Sequence, residues 1–226
     1  MEWRLDYGDS HIGVSADKDL RSASLEELIS QYGLLLSYIN RNPLFKSSYE
    51  PVAVGDDAPL IVKRMAEAAE KAGVGPMAAV AGTIAQLMAE RLIRGGCKDV
   101  VVDNGGDVYM CSDLQKLVAV HAGPSPLSGK IAFMVRPDDM PCGVCTSSAS
   151  VGPSISLGHA DAVTVFADSG ALADACATAV GNEVGVGEDF RRAFSRASGV
   201  AGLRGVLIIR GESLGAWGRL PAIVNI

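Results

Sequence analysis

The first strongly periodic stretch follows Ser24-Leu25-Glu26-Glu27, where Ser24 and Glu27 stand three apart in capping-box order. Leu28, Leu35, Leu36 and Ile39 then recur at helical spacing on one stripe. Asn42-Pro43 closes the segment, because the residue before a proline avoids helical backbone. A second helix is predicted from Pro59, which a first turn tolerates, to Gly73, which suits a left-handed cap. Its Lys63, Arg64, Glu67, Glu70 and Lys71 make a solvated face. A third runs from Met77 to about Arg94 and stops at Gly95-Gly96.

From Lys98 the period shortens. Val100–Val102, Val108–Met110, Leu117–Val120, Ile131–Val135 and Ala162–Phe166 read as short strands between turn residues. A helix is predicted over roughly 169–184, and two last strands over Val206–Ile209 and Leu214–Trp217. Helices clustered before and between consecutive strands predict an α+β layered fold, read as one domain over residues 1–226.

Composition narrows the classes. With 48% hydrophobic and 20% charged residues the chain is not intrinsically disordered. Aromatics make up only 5% while glycines number 26, so the core is built from small and aliphatic residues that pack closely. A net charge of −6 argues against general nucleic-acid binding, which needs basic surface to displace counterions. The longest uncharged run, Ala72 to Ala89, contains Gly73, Gly75, Pro76, Gly82, Thr83 and Gln86, too short and too polar for a membrane span. The start, Met1-Glu2-Trp3-Arg4-Leu5-Asp6, has no apolar stretch behind basic residues, so no secretory signal is expected. Five cysteines in a chain of this size fit a reduced, cytoplasmic protein.

Four segments could carry chemistry. Asp103-Asn104-Gly105-Gly106-Asp107 reads as a hairpin turn, or as a glycine-lined approach to a ligand flanked by Asn104 and Asp107. Asp174 and Thr178 stand four apart in an alanine-rich helix and share a face. A carboxylate and a hydroxyl there suit Mg²⁺, and equally suit a first-turn acid beside a surface threonine. Cys142-Gly143-Val144-Cys145 has the spacing of a redox pair or half a zinc site, without a second pair or a histidine cluster. Thr146, Ser147 and Ser148 after it form a small polar stretch, predicted as a loop able to take phosphate. Gly73-Val74-Gly75-Pro76-Met77 leads to a helix N-terminus, which favours anions. His11, His121 and His159 are scattered, and no nucleophile elbow or metalloprotease spacing occurs.

Taken in order, these segments resemble the ApbE-like superfamily, whose characterised members are FAD:protein FMN transferases. The likeness rests on Val100-Val101-Val102-Asp103-Asn104-Gly105-Gly106-Asp107-Val108, on Ala162–Ala167, and on Ala173-Asp174-Ala175-Cys176-Ala177-Thr178-Ala179. Gly73–Gly82, Gly143–Ser148 and Leu157–Ala162 are similar to signatures of an uncharacterised cytosolic branch, and the resemblance runs from about Arg4 to Trp217. It implies T-fold-like layers of mainly antiparallel sheet packed with helices. It implies Asp174 and Thr178 as the catalytic, Mg²⁺-binding pair, and Asn104, Gly105, Gly106 and Asp107 beside the flavin nucleotide. Gly75, Pro76, Met77, Thr146, Ser147 and Ser148 join them as cofactor-binding candidates. In such enzymes FAD is cleaved, AMP leaves, and FMN passes to a threonine of an acceptor protein. The expected partners are therefore a flavin or other phosphorylated small molecule and an acceptor protein, with a homo-oligomer compatible and neither nucleic acid nor membrane involved.

Two departures stand out. The family's His-x-x-x-Asp-Pro-x-Thr-Gly segment corresponds here to Gly152-Pro153-Ser154-Ile155-Ser156-Leu157-Gly158, and its glycine–lysine element to Ala81-Gly82-Thr83. The alternative expectation is a non-catalytic flavin or phosphorylated-ligand binder on the same scaffold.

Overall fold

The computed structural model describes residues 1–148, 158–187 and 189–226. In chain order the elements are β1 (Glu2–Tyr7), β2 (Ser10–Ala16), α1 (Arg21–Arg41), the short α2 (Pro43–Ser47) and α3 (Leu60–Ala72). A 3-10 turn, Pro76–Ala79, runs into α4 (Val80–Arg94). Then follow β3 (Val100–Asn104), β4 (Asp107–Cys111), β5 (Lys116–Ala119), β6 (Ile131–Val135), β7 (Cys142–Ser147) and β8 (Ala162–Ala167). The chain continues through α5 (Gly170–Asn182), α6 (Arg191–Ser198), β9 (Leu203–Arg210), β10 (Ser213–Gly218) and β11 (Ala222–Asn225). Eight strands form one sheet in the order β1-β2-β3-β4-β7-β8-β9-β10, and β11-β6-β5 form a second. Every pairing is antiparallel, so the α+β class and its mainly antiparallel layers are as expected.

The two-residue period of the strands sorts the core into two layers. Val163 and Val165 of β8 join the helix-side core, which holds residues from α1, α3, α4 and α5. Ala162 and Phe166 face the other way, toward the small sheet, where Phe166 meets Phe133 edge to face at 4.7 Å between ring centroids. Where α4 crosses α5 the glycine excess has a direct cause. A Cβ on Gly82 would fall 2.8 Å from the Cβ of Asp174, and one on Gly143 of β7 would fall 2.7 Å from the Cα of Gly170. Helix and sheet backbones therefore touch at a distance no side chain allows.

Several elements differ from the sequence reading. The first helix starts at Arg21, so Ser24 lies inside it; its hydroxyl accepts from the buried Trp3 indole N–H (3.1 Å) and donates to the Arg21 carbonyl (2.8 Å). A buried indole needs such a partner, and that need outweighs a capping role. Leu36, placed on the apolar stripe, is 44% exposed. Pro59 precedes α3 rather than entering it, and Gly73 is the left-handed cap at φ 64°. Thr146 and Ser147, expected in a small polar loop, lie instead at the end of an interior strand, Cys142–Ser147. Strands β1, β2 and β11 and helices α2 and α6 lie outside the predicted elements, although Trp3, Leu5, Ile12, Val14 and Ala16 alternate as buried strand residues should. Among the described residues no single helix is long and apolar enough to cross a membrane. The pair Leu60–Ala72 and Pro76–Arg94 passes only jointly and is bent by 106°.

Candidate functional site

The β4–β7 ladder pairs Asp107 with Cys145, which projects both side chains from one face of the large sheet. The Cys145 sulfur lies 3.5 Å from the Gly170 carbonyl, so that face is the one α5 covers. Across the β3–β4 hairpin Asn104 pairs with Asp107, and its Nδ2 donates to the Ala81 carbonyl (3.3 Å) in the first turn of α4. The next backbone amide, Gly82 N–H, donates to Oδ2 of Asp174 on α5 (2.8 Å). Asn104, Asp107, Cys145, Asp174 and the Ala81–Gly82 peptide thus converge, although more than ninety residues separate the ends of this set. Asp174 sits in the second turn of α5 and is tied to a distant amide, unlike a surface first-turn acid. Thr178 stands one turn further along the same helix and is partly exposed.

The electrostatics of this recess are unusual. Asp107 and Asp174 keep some accessible surface yet are closely surrounded by protein atoms, as groups at the base of a recess are. Burial, with a contribution from the charge of Asp103, pushes the Asp107 carboxyl up to about 7, against the pull of hydrogen bonds from Cys145 and the Thr146 amide. Burial and the nearby Asp107 charge raise Asp174 well above the carboxylate range, although the Gly82 and Ala81 amides act in the opposite sense. Burial and both carboxylates likewise raise the Cys145 thiol. No cationic side chain contributes to either carboxyl group. Two carboxyl groups with no cationic partner among the described residues are held in one place.

The remaining candidates fall into three groups. Ser147 belongs with the cluster's face: its ladder partner is Val163 of the helix-side core, and among the described residues its buried hydroxyl has no hydrogen-bond partner. Gly105 and Gly106 make the hairpin turn, at φ 67° and 101°, closed by the Gly106 amide donating to Asp103 (2.8 Å). The turn explains both glycines, and no atom lies within 4 Å of where their side chains would start. Thr146 points to the opposite face, its hydroxyl 2.9 Å from that of Thr164, and Ser148 is buried. Gly75 packs against the Ser48 backbone, Pro76 opens the 3-10 turn and Met77 packs against the core, so all three have structural work on the helix side. The stretch Gly152–Leu157 lies outside the described residues.

The Cys142/Cys145 pair is a correction. Three apart in a strand, the two thiols face opposite layers, Cys142 toward the small sheet and Cys145 toward the helices. All five cysteines are free, and both thiols of this pair are buried. Among the described residues no group of three or more His, Cys, Asp or Glu is placed to hold a metal ion. A cation in the recess would therefore take two carboxylates at most, completed by hydroxyl, backbone and water oxygens, a donor set that suits Mg²⁺. Two surface hollows, one beside His159, Asp161 and Arg210 and one beside Lys71, Arg192 and Arg196, contain none of these residues.

The antiparallel sheets packed against helices are the layers of the ApbE fold. The flavinyl transferase ApbE of Pseudomonas stutzeri, in its apo form, superposes with a TM-score of 0.60 over 96% of this chain and 93% of its own, at 12% identity. The ApbE protein of Thermotoga maritima superposes at 0.57 over 100% and 97%, at 13% identity. The chain belongs to the family described as AbpE bacteria, whose model matches residues 1–199. A UPF0280 protein of Methanosarcina acetivorans is 42% identical over 95% of this chain and 85% of its own length. A UPF0280 protein of Methanococcoides burtonii is 40% identical over 100% and 95%.

Proposed function

We propose that the chain is a divalent-cation-dependent flavin transferase. It cleaves the pyrophosphate of FAD, passes FMN through a new phosphate ester to a threonine hydroxyl of an acceptor protein, and releases AMP. The observation that supports this reading most is the facing of Asp107 and Asp174 with no cationic partner, on a fold shared with ApbE flavin transferases. Such a pair fits a bound cation, whose charge would favour the ionised form of two carboxyl groups that burial, and for Asp174 the Asp107 charge, disfavours.

The Asp174 carboxylate and Thr178 hydroxyl would hold Mg²⁺, whose chemistry is to neutralise charge on the pyrophosphate. Asp107, which burial raises to about 7 in the metal-free protein, is the group placed to take up the proton of the attacking hydroxyl. The partnerless Ser147 hydroxyl donates to a ligand oxygen, and Asn104 holds the first turn of α4 so that the Gly82 amide keeps Asp174 oriented. The open turn at Gly105-Gly106 lets a flat ring approach the backbone. Gly75, Pro76 and Met77 shape the wall leading into α4. A cytoplasmic location belongs to the same reading.

Incubation with FAD, Mg²⁺ and a threonine-bearing acceptor is expected to release AMP, and Asp174→Ala to lower that rate by about 100-fold or more. Intact FAD after prolonged incubation overturns the reading. Saturable flavin binding without AMP release instead selects the binding-protein alternative, which the Gly152–Gly158 sequence in place of the His-x-x-x-Asp-Pro-x-Thr-Gly segment favours.

A further inference from the structure

We propose that α1 is a self-association surface through which two copies of this chain pair, antiparallel about a two-fold axis close to Gly33. From Leu28 to Asn40 no residue of this helix is charged. Leu28, Leu35 and Ile39 bury themselves in the core, whereas Leu25, Ile29 and Leu36 point outward and are 37%, 42% and 44% exposed. A solvated helix face of this length ordinarily carries charge. Here the outward stripe is apolar.

Gly33 lies on that stripe, in the middle of the helix. A helix-interior glycine is less stable than alanine, so it calls for a local reason. Apart from its chain neighbours and its own helix backbone, no atom of the described residues lies within 4 Å of where its Cβ would be, so their packing supplies none. The close approach of another backbone does. A second helix crossing at Gly33 would bring Ile29 and Leu36 of each copy onto the other.

The charges that border the stripe choose the partner. Glu26 and Arg41 stand equally far on either side of Gly33 and Leu34, on the same flank of the helix, and among the described residues neither has an ion-pair partner. A two-fold axis there sets Glu26 opposite Arg41 of the partner subunit, and does so twice, as an isologous interface requires. The 21 residues of α1 give a seam about 31 Å long. A membrane surface is the poorer match, since interfacial helices carry basic residues beside the apolar face, and this border carries Glu26 and Glu27 in a chain of net charge −6.

Sedimentation of the full chain across roughly 1–100 μM tests the pairing. The wild type is expected to dimerise, and Ile29→Lys with Leu36→Lys to weaken the dimer by about tenfold or more while the circular-dichroism melt is kept, both sites being exposed. Glu26→Arg is expected to weaken it about two- to fivefold, and adding Arg41→Glu to restore it. A wild type that stays monomeric, a dimer indifferent to the lysines, a charge swap that fails to restore it, or binding to anionic vesicles in place of dimerisation each overturns the proposal.

Discussion

Acidic side chains occupy two settings in this molecule, and the contrast between them marks the site. Around the periphery several acids have a cation: Glu90 with Arg64 at 2.8 Å, Asp99 with Lys116 at 2.6 Å, Asp139 with Arg219 at 3.2 Å. Arg191 holds the exposed Asp189 carboxyl at about 2, below the usual range. In the recess between α4, α5 and the large sheet, Asp107 and Asp174 face one another with none, and Asp107 stands at about 7. The peripheral pairs describe a surface at rest. In the recess two carboxyl groups lack a cation and are costly to ionise together, and such crowding accumulates at functional sites.

The largest expected effect comes from removing the close contact that builds the recess. Gly82→Val would drive its side chain into the Gly170 carbonyl and to within 2.8 Å of the Asp174 Cβ, backbone that cannot step aside. A loss of about 3 kcal/mol in urea unfolding is expected, together with loss of any Mg²⁺-induced thermal shift. Asp107→Asn comes next and acts in the opposite direction. A carboxyl raised from 3.8 to about 7 in the fold binds more protons there than when unfolded, so the metal-free protein loses stability as pH rises from about 4 to about 7. The variant is expected to gain roughly 1–3 kcal/mol over the wild type at pH about 8 and nothing near pH 4. Melting curves with and without Mg²⁺ check it: the ion should recover the wild type at high pH and leave the variant unchanged. A wild type whose stability is flat between these pH values would break the contrast.

How much of this was legible in the sequence depends on the range of the interaction. Periodicity located α3, α4, α5 and most strands, because burial imposes it locally. Asp174 and Thr178 were visible as a helical spacing, and Asn104-Gly105-Gly106-Asp107 as turn chemistry. What gives these residues their setting is long-range: the Gly82 amide on Asp174, the Asp107–Cys145 register, the Asn104 link to Ala81. No local pattern encodes those. Gly82 carried a signal, a glycine inside a helix, which a search for close helix crossings would have found. The Cys142-x-x-Cys145 spacing is compatible with a pair only where the backbone brings both thiols to one side; in the strand Cys142–Ser147 alternation alone separates them.

The smallest expected effect tests whether the two settings are independent. Glu90 accepts from Arg64 and from Gln86 Nε2 (3.0 Å), and Gln86 Oε1 in turn accepts from the Gly170 amide (2.9 Å) and the Ser169 hydroxyl (3.1 Å). A peripheral ion pair is thereby joined, through one amide side chain, to the N-terminus of the helix that carries Asp174. Arg64→Met keeps the aliphatic stem and removes the charge, so the cost should be that of a half-exposed pair, about 1 kcal/mol or less. Because Gln86 itself caps α5 with both donors unchanged, Asp174 should keep its contact with Gly82, and the concentration of Mg²⁺ giving half the thermal shift should move by less than about twofold. A larger move would mean that the peripheral pair sets the position of α5, and the recess and the rim would then have to be treated as one electrostatic unit.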